Sequence, residues 1–202
     1  MHTRHRLFPA AALALQAFLV PVHAAPVTYV IDSDQTSSRL TYRYFGTLTE
    51  RNGFDRIGGT LQFDPATEVG TAEVEIDAAS VNTGDFVVDR LAVGEDFFDV
   101  DDHPVIRFEA RDLPLDGTPR RFAGELTIRG VTRRVVLEIR RFHCAGRAAE
   151  VCETHAVVTL RRSEFEMDHH RLLIGDEITL TLAFRAVKTA GAGPLALRDP
   201  AR

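Results

Sequence analysis

The strongest constraint in this chain is a side-chain alternation of period two that returns in segment after segment. It runs through Ser38-Arg-Leu40-Thr-Tyr42-Arg-Tyr44, Thr60-Leu61-Gln-Phe63, Ala72-Glu-Val74-Glu-Ile76, Ile106-Arg-Phe108-Glu-Ala110, Gly124-Glu-Leu126-Thr-Ile128, Val135-Val-Leu137-Glu-Ile139, Ala156-Val-Val158-Thr-Leu160 and Ile178-Thr-Leu180-Thr-Leu182-Ala-Phe184. With Thr28 to Asp32 these make eight or nine strands. Each has one apolar face and one face of Thr, Arg, Glu or Gln, the pattern of an antiparallel sheet that is wet on one side. So many dry faces must be buried against one another, in a two-sheet sandwich or in a closed barrel. Closure also removes exposed strand edges.

The separators are turn-like: Gly58-Gly59, Asp64-Pro65, Gly117-Thr118-Pro119, Gly130 and Gly175-Asp176. One stretch breaks the period. From Asn82 to Val100 the apolar residues 86, 87, 91 and 93 suit a short helix, with Asp85 as its N-cap. The sheet therefore has one long excursion, between the fourth and fifth strands. His103-Pro104 reads as the turn that enters the next strand.

The ends of the chain differ from this middle. Arg4 and Arg6 precede an apolar run from Leu7 to Val20, and Val22-His23-Ala24 is a small-x-small cleavage signal, so residues 1–24 read as a secretory leader cut before Ala25. The run is shorter than the ~20 residues that span a bilayer. Residues 25–188 are the expected folded domain, and residues 189–202 a small, flexible tail. An exported, periplasmic protein follows. Loss of the leader takes the formal charge from −5 to −7, and that balance argues against nucleic acid as a partner.

Export changes how Cys144 and Cys152 read, because thiols pair in oxidising compartments. They flank a polar segment between two strand-like runs, where a disulfide closes a hairpin with ease. Free thiols are one rival and a metal site with His143 and His155 is another, although the spacing is unlike that of a usual zinc site. No nucleophile elbow, phosphate-binding glycine loop or zinc-protease helix is present. The acidic run Glu95 to Asp102 lacks the alternation of a calcium loop, and reads as a solvated cap with Phe97-Phe98 as apolar anchors. His169 and His170 point apart if they lie on a strand, which speaks against a shared metal. No metal site, no resident cofactor and no enzymatic activity are expected.

Several phrases and their order resemble the YceI family of exported lipid-binding proteins, also called polyisoprenoid-binding. They are Tyr29-Val-Ile-Asp32, Gly59-Thr-Leu-Gln-Phe-Asp64, Val74-Glu-Ile-Asp77-Ala-Ala-Ser80-Val-Asn-Thr83, Asp96-Phe-Phe-Asp99 with His103-Pro-Val-Ile-Arg-Phe108, Gly124-Glu-Leu-Thr-Ile-Arg-Gly-Val-Thr132, and Arg162-Ser163-Glu-Phe165 before Gly175-Asp-Glu-Ile178. The resemblance covers residues 28 to about 187. It implies an all-β fold: an extended, lipocalin-like antiparallel β-barrel of about eight strands with a short helical excursion. Its interior is then an apolar tunnel for a long isoprenoid chain such as a quinone or polyprenyl lipid. The chain departs from the family pattern twice. Tyr44 stands where many members carry a histidine, and Val88-Asp89-Arg90-Leu91-Ala92 replaces an Arg-Asp-x-His-Leu helix.

The residues expected to meet such a ligand are the inward sets Leu40, Tyr42 and Tyr44; Leu61 and Phe63; Val74 and Ile76; Ile106 and Phe108; Leu126 and Ile128; and Leu180 and Leu182. Phe97 and Phe98 join them at the helical lid. Carriage or sequestration of an amphipathic isoprenoid is the leading expectation. The alternative is an accessory factor of a respiratory or stress system that docks on a membrane redox protein, with any lipid structural. Transient contact with the membrane or a membrane protein fits both. The sequence leaves the oligomeric state open, a homodimer included.

Overall fold

The computed structural model describes residues 26–64, 67, 69–114, 121–144 and 150–189. The alternating segments become ten antiparallel strands: β1 (Val27–Ile31), β2 (Ser37–Tyr44), β3 (Thr47–Asn52), β4 (Ile57–Asp64), β5 (Val69–Asp77), β6 (Val105–Pro114), β7 (Arg121–Ile128), β8 (Val131–Cys144), β9 (Val151–Arg161) and β10 (Ile174–Lys188). Eight of them close on themselves in the order β1-β4-β5-β6-β7-β8-β9-β10, with β1 returning to β10. The expected barrel is therefore present.

Closure depends on the length of β10. One of its edges carries β9, while the other carries β2 over residues 174–183 and then β1 over residues 186–188. Strand β2 leaves the barrel wall and forms a hairpin with β3. The sequence reading lacks β3, for a physical reason. Thr47–Asn52 contains a single apolar residue, Leu48, whose side chain is exposed, so this edge strand has no dry face to announce it.

The helical excursion lies between Ile76 and Ile106 as expected, which in this numbering is between β5 and β6. Helix α1 (Phe86–Ala92) starts at Asp85, whose carboxylate accepts the N–H groups of Val87 and Val88. The β7–β8 turn at Arg129 and Gly130 has positive φ at both residues and joins paired Ile128 and Val131, the two-residue hairpin geometry that matches strand twist.

Three local expectations are corrected. Gly58-Gly59 is not a turn but the start of β4: Gly59 has φ +139°, and a Cβ there would lie 2.1 Å from Glu73 O, so the glycine permits a close crossing onto β5. Gly175-Asp176 likewise belongs to β10, at the register shift between Ile174 and Ile178. Thr189, assigned above to the tail, donates its N–H to Thr28 O at 2.9 Å. Residues 1–24, Pro65 of the expected Asp64-Pro65 turn, Gly117-Thr118-Pro119 and residues 190–202 lie outside the described residues.

The inward side chains form one main core, centred on Ile57, Val74, Ile76, Ile106, Leu126 and Ile128. This core includes residues of the barrel end near α1 and the segment 162–173, the lid end. The opposite end, where β8 turns into β9, is different.

Candidate ligand-binding cavity

Along the other part of the barrel the inward residues are apolar but keep some exposure: Leu61, Leu137, Ile139, Leu160, Leu180 and Phe184 are only partly buried. Side chains that point inward and are still accessible must face open space. That space is a cavity of about 900 Å³, toward the upper end of the range for ligand pockets, about 300–1,000 Å³. It runs from Cys144 and Cys152 to Phe54, Phe97 and Arg162.

The two ends of the cavity are unlike. At the lid end its lining is buried: Phe97 is 6% exposed and Met167 3%. At the other end the lining includes exposed Gln62, Thr71, Arg140, Arg141 and His143, together with Phe142, which is 41% exposed. The cavity opens there. The register shift between Ile139 and Arg141 inserts an extra residue into β8 at this mouth, so that Phe142 faces Thr154 and Cys144 faces Cys152. Cys144 and Cys152 are joined by a disulfide, which leaves no thiolate for a metal site with His143 and His155.

Every residue expected to meet a ligand lines this cavity except Tyr44. Alternation along β2 keeps Tyr44 on the inner side, but the cavity ends at Tyr42. Beyond it, Tyr44 packs against the cluster of Tyr42, Phe97 and Ile174, edge-on to Phe45 with ring centroids 4.9 Å apart. The polar group that does reach the cavity on this strand is Tyr42. Burial raises the pKa of its hydroxyl; neighbouring Arg51 opposes that shift, and Tyr44 and Asp85 add to it.

The lid end contains a buried cation that the sequence reading did not place at the site. Arg162 is 2% exposed, and its guanidinium donates to the carbonyls of Gly175 at 3.0 Å, Ile174 at 2.8 Å and Met167. Burial lowers its pKa. The same guanidinium lies over the Phe97 ring, 5.4 Å from its centroid, within cation–π range. The available signal was phase: Arg162 continues the inward series Ala156, Val158, Leu160 on β9. Asp176 braces this corner, accepting the Ser163 N–H at 3.0 Å and its hydroxyl at 2.9 Å.

His169 and His170 do not lie on a strand. They sit in the turn before β10, where His170 has positive φ, and both imidazoles reach Asp96, at 3.4 and 2.9 Å. The His170 ring also stacks parallel to Phe97 at 6.0 Å. Phe97 thus contacts both Arg162 and His170, while Phe98 packs edge-on against Phe54 at 5.4 Å. The acidic run 95–102 is anchored by these two rings, as expected.

Comparison with known proteins agrees with this architecture. A UPF0312 protein of Azotobacter vinelandii is 30% identical over 135 residues, covering 64% of this chain and 70% of its own length. One of Pseudomonas aeruginosa is 27% identical over 132 residues, covering 63% and 69%. Among solved structures, Burkholderia cenocepacia BcnA superposes with a TM-score of 0.66 at 22% identity, covering 78% of this chain and 99% of BcnA. A polyisoprenoid binding domain from Saccharophagus degradans, implicated in plant cell wall breakdown, gives 0.60 at 15% identity, covering 80% and 98%. At such identities the structural likenesses are likenesses of fold. The YceI-like domain matches residues 29–186, essentially the whole barrel, and the chain belongs to that family.

Proposed function

We propose that this protein binds a long, amphipathic isoprenoid, a quinone or polyprenyl lipid, and carries or sequesters it in the periplasm after removal of residues 1–24. The observation that carries this reading is the apolar cavity of about 900 Å³, entered from one end and lined by partly accessible Leu, Ile and Phe side chains. Removing apolar surface from water stabilises by roughly 25 cal/mol per Å², and a chain of several isoprene units presents a large apolar surface to such a cavity. The description of the Saccharophagus neighbour as polyisoprenoid binding supports the ligand class. The reading is of a non-enzymatic role, since among the described lining residues no nucleophile stands hydrogen-bonded to a base. Native mass spectrometry of gently purified protein should show an adduct of isoprenoid mass, or uptake of added quinone or polyprenol. A clean apo mass with no uptake of either overturns the reading.

A second reading, docking on a membrane redox protein with any lipid structural, is favoured by one observation. Phe45, Leu48, Phe86, Val87 and Leu172 are all exposed, and they lie on the β2–β3 hairpin, α1 and the turn before β10, at the lid end. The Phe45 N–H donates to Leu173 O at 2.9 Å, which brings two of these elements together. Exposed apolar groups of this kind mark interaction sites. If it holds, Phe45→Ser/Leu172→Ser abolishes the physiological effect while leaving lipid uptake unchanged.

A further inference from the structure

The mouth of the cavity and the lid end differ in charge as well as in openness. From Asp85 to Asp102, at the lid, the chain carries seven carboxylates against Arg90. Strand β8, which leads to the mouth, carries four arginines against Glu138. At the mouth itself, Arg140 and Arg121 share Glu138, at 2.7 and 3.4 Å, so this trio keeps a net positive charge. Arg141 and His143 are exposed, and among the described residues neither makes an ion pair. Among the described residues the acids at this end include Asp64 and Asp112, near the ends of β4 and β6. Glu150 meets Lys188 at 3.9 Å, and Glu153 stands opposite His143 and Arg185 in the ladder. An acidic protein thus has a cationic patch on the β7–β8 side of the opening of its apolar cavity. Beside that patch are exposed Phe142, which faces the cavity, and Val136 on the outer face of β8.

We propose that the protein docks on an anionic lipid surface mouth-first, with Arg140 and Arg141 as the contact cations and Phe142 as the apolar element that meets the acyl region. The partner follows from charge complementarity. Guanidinium groups are attracted to anionic headgroups within about a Debye length, and the carboxylates of the lid end are repelled, so the molecule is oriented before it lands. The orientation also places the opening, and not the closed lid, against the phase in which an isoprenoid dissolves. The inference rests on the lipid-carriage reading and adds to it the surface through which the ligand passes.

The test is flotation of the purified protein with phosphatidylcholine vesicles and with vesicles of phosphatidylcholine and phosphatidylglycerol, at low and high salt. The parent should float with the anionic vesicles at low salt, be released by high salt, and ignore phosphatidylcholine alone. A basic side chain near an anionic leaflet strengthens binding by about fivefold, so Arg140→Gln/Arg141→Gln should weaken it by about 25-fold. Arg133→Gln/Arg134→Gln makes the same charge change on β8 away from the mouth, and should alter binding by less than about twofold. Hydrogen exchange on the parent reads the same contact without a variant: anionic vesicles should protect residues 139–143 and leave residues 86–100 unchanged. Equal losses in the two double variants, equal binding to both vesicles, or protection at the lid overturns the proposal. Uptake of detergent-dispersed quinone, measured alongside, reports on carriage alone. If uptake fails in the parent, the carriage reading fails, whereas normal uptake without anionic-vesicle binding sinks only the docking.

Discussion

Tyr42 and Tyr44 are two residues apart on one strand, share its inner side, and separate in role because the cavity stops between them. Tyr42 lines the cavity and its hydroxyl accepts from Arg51, with Asp85 nearby, while Tyr44 packs with Phe97 and Ile174. A Tyr42→Phe substitution should therefore weaken binding of a quinone or polyprenol by about 0.5–1.5 kcal/mol, the worth of one ordinary hydrogen bond, and Tyr44→Phe should leave it unchanged. Displacement of a fluorescent apolar probe measures both. Equal losses would return Tyr44 to the site. Asp176 sets a different residue-scale effect. Burial alone would raise its pKa, but the hydroxyl and N–H of Ser163, helped by Arg171 and Arg162, hold it below the ordinary carboxylate value. A folded value below the unfolded one, about 3.9, means that folding favours the ionised form. The stabilisation is fully present above that unfolded value and is lost as pH falls through the folded one. Asp176→Asn should thus be less stable than the parent near neutrality, and the difference in melting temperature should shrink as the pH drops below about 4. A gap that widens on acidification would contradict the assignment.

At the level of elements, the sequence was legible wherever a strand has two unlike faces, and silent where it does not. Strands β2 and β4 to β10 alternate because one face meets the interior and the other meets water. Strand β3 has a half-buried face, but polar Thr49 and Arg51 occupy it, and its one apolar residue, Leu48, faces solvent. Gly58-Gly59 misled because a glycine pair usually signals a reversal, whereas here it answers a close crossing of two strands. The cavity was harder to read than the fold. Leu137, Ile139, Leu160 and Phe184 follow the same alternation as the anticipated residues, and periodicity says which side a residue faces, never whether that side is filled. The β8–β9 hairpin carries the next prediction. Cys144 and Cys152 stand directly opposite in the ladder, and their bridge encloses an eight-residue separation at the mouth. A ring this short contributes at most about 2–3 kcal/mol through chain entropy. Reduction should raise hydrogen exchange around residues 142–144 and 150–154 and leave the other strands protected, because β8 and β9 remain held by their outer neighbours β7 and β10. Collapse of protection throughout the barrel would show that the bridge holds the whole fold.

Taken whole, the molecule is a barrel with an apolar cavity along its interior and a set of packed residues that do not border it, Ile31, Ile57 and Phe165 among them, and this difference predicts opposite responses to one kind of substitution. Ile57 is buried in the main core, 1% exposed, and does not border the cavity. Protein cores are packed at crystal-like density, and enlarging a side chain in such a region costs about 1–3 kcal/mol, so Ile57→Phe should lower the melting temperature. Leu180 points inward as well, but it is only partly buried and borders the cavity. A larger side chain there has space to occupy, and by withdrawing apolar surface from the cavity it should leave the melting temperature unchanged or raise it. The same change removes room for ligand, so Leu180→Trp should reduce uptake of a long isoprenoid more than that of a short one. The parent has no tryptophan, which makes the new indole a unique reporter. In the apo protein its emission should report partial hydration, and it should shift to the blue when a quinone or polyprenol enters. A Leu180→Trp protein that melts well below the parent, or that takes up long and short chains as the parent does, would show that this part of the barrel is a packed core and not a tunnel.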